Sequence, residues 1–100
     1  LKKILFIKNE KGMHARASAK LVELVESFDA DVEITKDKIT VSGDSIMGLL
    51  MLAASKGSKL ELKTRGKQKK ELLKAIENLL EKNFGEEEWS YLVGKGISDV

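Results

Sequence analysis

Apolar and polar residues change rhythm several times along this chain, and each rhythm predicts an element. Leu1 to Ile7 is rich in strand formers, with Ile4, Leu5, Phe6 and Ile7 together, and reads as a first strand. Lys8 to Met13 is polar with one glycine and reads as a loop. From Ala15 to Phe28 the residues Leu21, Leu24, Val25 and Phe28 recur at helical spacing and form one apolar stripe. Val32 and Ile34, then Ile39 and Val41, alternate with polar residues around Lys36-Asp37-Lys38, the pattern of a hairpin. Ser42-Gly43-Asp44-Ser45 is a turn cluster and a helix start, with Asp44 or Ser45 as the N-cap. Ile46 to Ala54 favours helix through its Leu, Met and Ala content, and Gly57 follows its end. Leu60 and Leu62 alternate with charged neighbours as a fourth strand, which Gly66 breaks. Lys67 to Asn83 is a long helix with Leu72, Ile76, Leu79 and Leu80 on one face. The order βα ββα βα, with singly striped helices and alternating strands, predicts an α+β domain: an antiparallel sheet with helices on one face.

Composition narrows the chemistry. The chain has 100 residues, enough for one small domain, and apolar and charged residues make up 42% and 34%, ordinary values for a globular protein. No apolar run approaches the length of a membrane span, and no basic start leads into a continuous apolar segment. A cytoplasmic protein without membrane insertion is the expectation. Zero cysteines exclude disulfides, thiolate metal sites and cysteine catalysis, and a single histidine argues against a zinc site. Neither a metal nor a cofactor is therefore expected. Net charge is only +2, but Lys56, Lys59, Lys63, Arg65, Lys67, Lys69 and Lys70 are opposed within their span only by Glu61. This run reads as a solvated strand edge and turn, where lysines discourage edge pairing. There is no aromatic RNA-binding strand motif and no GxxG loop, so nucleic acid is not the expected partner.

Gly12-Met13-His14-Ala15-Arg16-Ala17-Ser18-Ala19 carries the most chemistry. A helix start leaves about four backbone N–H groups outside the helical ladder, and the helix dipole adds partial positive charge there. An anion near His14 would meet donors from Ala15, Arg16 and Ala17. A neutral imidazole can attack phosphorus with one nitrogen, and Arg16 offers a planar fork of donors to phosphoryl oxygens. Gly12 lets the backbone turn sharply just before the ring. Taken alone, the spacing also fits a histidine that merely caps the helix or lies on the surface.

The segment Gly12 to Arg16, with Ala19 and a Leu/Val helix behind it, resembles the active-site signature of HPr, the histidine-containing phosphocarrier of the bacterial phosphoenolpyruvate-dependent phosphotransferase system. The segment from Ser45 to Ala54 resembles that family's regulatory-serine region, and Phe84-Gly85-Glu86 resembles its usual chain end. The resemblance covers about residues 1–86 as one HPr-like domain and leaves 87–100 as a C-terminal extension of unknown role. That extension holds the only Trp and the only Tyr, Trp89 and Tyr91; of a loose tail and a segment packed on the body or on a neighbour, the aromatic pair favours packing. Leu1 at the first position is consistent with a trimmed start.

The resemblance implies an open-faced β-sandwich, a four-stranded antiparallel sheet with three helices on one face. It implies that His14 accepts a phosphoryl group on Nδ1 from Enzyme I and passes it to an EIIA-type protein, with Arg16 and the Ala15–Ala17 amides holding the phosphate. The chain would then be a carrier that other enzymes act on, not one that turns over alone. Ser45 matches the serine that HPr kinase/phosphorylase modifies in many members. Ala19, Ile46, Met47 and Leu50 are the expected partner contacts. Ile46, Met47, Leu50 and Met51 could share one face of a very short helix, more apolar surface than one face readily buries, so some exposure is expected. Ala17 stands where many members have proline. That residue and the Met-Leu-Ala-Ala ending are similar to HPr forms of proteobacteria, including those of nitrogen-related phosphorelays. The alternative reading is accordingly a regulatory relay whose phosphorylation state controls partner binding instead of sugar uptake.

Overall fold

The structure, a computed structural model, describes residues 1–86. The expected packing of Trp89 and Tyr91, and the rest of the extension from residue 87 to 100, lie outside the described residues. The elements follow in the order β1 (Lys2–Phe6), α1 (Ala15–Glu26), β2 (Asp31–Lys36), β3 (Ile39–Ser42), α2 (Ile46–Met51), β4 (Lys59–Arg65) and α3 (Lys69–Glu81). A single 3-10 turn spans Asn83–Gly85. The strands form one sheet in the order β1-β4-β2-β3, and every neighbouring pair is antiparallel. The fold is the four-stranded open sheet with three helices that the sequence predicts.

Strand period explains which face is covered. Leu60, Leu62 and Thr64 alternate inward along β4, and their partners Leu5, Ile34 and Val32 lie on the same face. Leu60, Leu62, Val32 and Ile34 are each at most 2% exposed. Ala17, Leu21, Val22 and Val25 of α1 and Leu72, Leu73, Ile76 and Leu80 of α3 close over them. Each fully buried aliphatic side chain contributes about 1.5–3 kcal/mol, so this layer is the main stabilising term. Thr64 is the polar exception on the strands, and its hydroxyl donates to the Lys69 carbonyl at the entry to α3. Lys3 reaches from β1 to Glu77 of α3 at 2.8 Å, and that hydrogen bond holds the Glu77 carboxyl below the usual carboxylate range.

Among the described residues, no helix covers the other face of the sheet. Lys59, Glu61, Lys63 and Arg65 project there from β4, beside Glu33, which pairs with Arg65. This corrects the reading of the basic run as a strand edge. β4 lies inside the sheet, between β1 and β2, so its lysines leave an open face and do not protect an edge. Ile4 and Phe6 of β1, each 50% exposed, lie on the same open side.

Element ends differ from the sequence pattern by a few residues, each for a local reason. α1 stops at Glu26, with the Ser27 hydroxyl donating to the Leu24 carbonyl. α2 stops at Met51 instead of reaching Ala54, because Ala53 takes a left-handed conformation with φ of 50°. Of the two candidate caps for α2 the structure uses Ser45, whose hydroxyl accepts from the Gly48 N–H at 3.0 Å. α3 begins at Lys69 and not at Lys67, after Gly66 with φ of 112°.

Ile76 is 1% exposed at the centre of the α3 stripe. Ile76→Ala is expected to lower unfolding free energy by about 2–5 kcal/mol. Urea denaturation should show a lower midpoint with an unchanged slope.

Candidate phosphohistidine site

His14 is the N-cap of α1, with φ −76° and ψ 179°, and its side chain makes no capping hydrogen bond. The imidazole is therefore not spent on closing the helix. The first rung of the helical ladder runs from the Ser18 N–H to the His14 carbonyl at 2.9 Å. The N–H groups of Ala15, Arg16 and Ala17 precede that rung and belong to the positive end of the helix. Ala17 is fully buried, Ala15 and Ala19 are exposed, and Arg16 is half-buried on the first turn. The structure thus brings His14, Arg16 and the first-turn amides together at one helix end, an arrangement suited to an anion.

Gly12 makes this placement sterically feasible. Its φ is 64°, and a Cβ there would stand 2.3 Å from the Ala54 carbonyl oxygen. The Met13 N–H donates to the same carbonyl at 2.8 Å. Met13 is itself 4% exposed, so a buried side chain and a backbone bond together pin the residue just before the histidine. The segment after α2 is in this way fastened to the histidine loop. α2 has six residues and is about 9 Å long, and the chain reaches Ala54 three residues after its end.

That outer face is apolar. Ile46, Met47, Leu50 and Met51 are 42%, 69%, 36% and 70% exposed, whereas Leu49 and Leu52 are buried. The sequence predicts some exposure in this group; the structure exposes all four. Met51, absent from the expected partner contacts, is as accessible as Met47.

Two further residues meet the histidine. Asn9 is 2% exposed, and its Nδ2 donates to the Gly12 carbonyl at 2.8 Å and to Glu86 Oε1 at 2.9 Å. Glu86 Oε1 also lies 3.2 Å from His14 Nε2. Sequence reasoning gave neither residue a place in the site, since they stand 5 and 72 positions from His14. The signal available was Phe84-Gly85-Glu86. Phe84 is 1% exposed and, with Asn83 and Gly85, adopts a left-handed backbone conformation, with φ of 53°, 54° and 75° along the three residues. For the two non-glycine residues this conformation costs on the order of 1–2 kcal/mol each, and burying Phe84 returns a similar amount. The turn reverses the chain after α3 and delivers Glu86 to the ring.

Comparisons with known proteins identify the family. The phosphotransferase-system HPr component phosphorylation site family matches residues 1–82. The chain belongs to the HPr family. It is 44% identical over 88 residues to the phosphocarrier protein HPr of Neisseria meningitidis serogroup A, covering 88% of this chain and 99% of that one. It is 39% identical over 88 residues to the phosphocarrier protein NPr of Escherichia coli K12, covering 87% and 98%. Among solved structures, HPr from Thermoanaerobacter tengcongensis superposes with a TM-score of 0.81 at 34% identity, covering 85% of this chain and 96% of that one. The likeness to HPr and NPr proteins makes this an HPr-type phosphocarrier of the phosphotransferase system. Among the described residues, no group of three or more His, Cys, Asp or Glu side chains could hold a metal ion, and no helix is long and apolar enough to cross a membrane.

Gly12→Ala combines a positive φ with a backbone clash. It is expected to destabilise the fold by about 2 kcal/mol or more, read as a lower thermal midpoint.

Proposed function

We propose that His14 is the phosphoryl acceptor. It takes the group on Nδ1 from a phosphohistidine of Enzyme I and passes it to a histidine of an EIIA-type protein. The observation that carries this is the His14 imidazole at the N-terminus of α1, not used as a cap and set beside Arg16. Donor and product are similar phosphoramidates, so transfer is readily reversible. The work left to the protein is positioning and charge stabilisation. Arg16 offers its donor fork to the phosphoryl oxygens, and the amides of Ala15, Arg16 and Ala17 add partial positive charge. No metal or cofactor enters the step. The protein acts as a substrate for its partners, in the cytoplasm, and does not turn over alone.

Ile46, Met47, Leu50 and Ala19 are the proposed docking contacts, and Met51 joins them by its exposure. Methionine suits a surface that serves several partners, because its side chain adapts its shape. Ser45 is the proposed regulatory site for an HPr kinase/phosphorylase. A doubly charged phosphate there would stand beside Ile46 and Met47 and penalise docking of an apolar or acidic partner. A regulatory relay is the second reading, favoured by Ala17 in the place of proline. Transfer to the acceptor of a sugar system separates the two readings.

Incubation with Enzyme I and phosphoenolpyruvate should add one phosphoryl group by intact mass. The group should survive alkali, be lost in acid and be absent from His14→Ala. No mass gain, with another HPr labelled in parallel, would overturn the reading. Arg16→Ala should slow labelling by roughly 10- to 100-fold without abolishing it.

A further inference from the structure

The buried amide of Asn9 has one orientation that its neighbours allow. Its nitrogen donates to the Gly12 carbonyl and to Glu86, while its Oδ1 has no hydrogen-bond partner among the described residues. Turning the amide over would set that oxygen against two acceptors and lose both bonds. The unpaired oxygen is thus tolerated because the nitrogen has two fixed targets. One of these targets is a carboxylate that is mostly buried, with 14% of its side chain exposed. An ionised carboxylate only accepts hydrogen bonds. Glu86 Oε1, 3.2 Å from His14 Nε2, therefore requires the hydrogen to be on Nε2.

We propose that Asn9 and Glu86 are positioning residues for His14. The carboxylate holds the ring hydrogen on Nε2, the lone pair then lies on Nδ1, and phosphorus is attacked from that nitrogen. This role rests on the phosphocarrier reading and deepens it. Carboxylate–histidine pairs elsewhere act in the same way, setting the tautomer and ring angle through the nitrogen that does not react.

The chemistry closes without a further reactant. The Nδ1 lone pair forms the new N–P bond as the N–P bond to the donor's imidazole breaks. The electron pair of the broken bond leaves with the donor ring, which carries a hydrogen on its other nitrogen and departs neutral. The Nε2 hydrogen stays on His14. Positive charge grows on the His14 ring as the bond forms, and Glu86 faces it at Nε2. A carboxylate beside Nδ1 would repel the incoming phosphoryl oxygens; at Nε2 it meets the ring from the other nitrogen. Asn9 supports this arrangement by tying Glu86 to the loop that carries His14, so both ends of the contact move together.

The test uses the full chain with nitrogen-15 in its single histidine, and Enzyme I with phosphoenolpyruvate as donor. The wild type should show an Nε2–H proton that exchanges slowly with water. Glu86→Ala should lose that signal and accept the phosphoryl group about tenfold more slowly, with its thermal midpoint unchanged. Glu86→Gln, whose amide oxygen can still accept from Nε2, should keep the signal and recover part of the rate. Equal protection or equal rates in the wild type and Glu86→Ala would overturn the assignment. A wild type with a protected proton but no phosphorylation would show that the carrier reading had failed, and the proposed role with it. A wild type that is phosphorylated but shows no protected Nε2 proton would overturn the Glu86 role and leave the carrier reading standing.

Discussion

The inward side chains of β2 and β4 can leave water only beneath helices, because the strands run next to each other and present their apolar residues to one side. Leu60, Leu62, Val32 and Ile34 are almost wholly buried for this reason, and α1 and α3 need single apolar stripes to cover them. The opposite face carries charges together with the half-exposed Ile4 and Phe6. With all three helices on one side, the connections at one end of the sheet are crowded together. The loop before α1, the segment after α2 and the turn after α3 all meet there.

That crowding makes the site. The Gly12 backbone approaches Ala54 more closely than any side chain would permit, and the Met13 bond to the Ala54 carbonyl holds the loop in place. From the third direction, Phe84 enters the core and the left-handed turn around it returns the chain to His14. A histidine that in sequence merely precedes a helix is thereby held between a fixed loop and a carboxylate. Its ring is oriented by tertiary contacts, while the positive end of α1 is a local property of the helix itself.

α2 shows the opposite economy. Its six residues give the core Leu49, with Leu52 just beyond, and leave Ile46, Met47, Leu50 and Met51 at the surface. The left-handed Ala53 ends the helix early, and the chain then meets the histidine loop where the Met13 N–H donates to the Ala54 carbonyl.

Much of this was legible in order and spacing. Alternation in β4 and the stripes of α1 and α3 are local periodicities, set by the geometry of strand and helix, and they fixed the layers before any contact was known. The Gly12–Arg16 and Ser45–Ala54 segments marked the histidine and the short helix by their resemblance to a known family, not by periodicity. The place of β4 inside the sheet was not legible, because lysines on an open face and lysines on an edge give the same alternating pattern. Nor was the meeting of Asn9, Glu86 and His14, which joins positions far apart in the chain through the packing of Phe84. The sequence by itself determined the elements, the covered face and the histidine at a helix start, since each depends on neighbours within a few residues. Only the tertiary structure decided strand order and which side chain holds the ring, because both depend on how separate segments compete for one core.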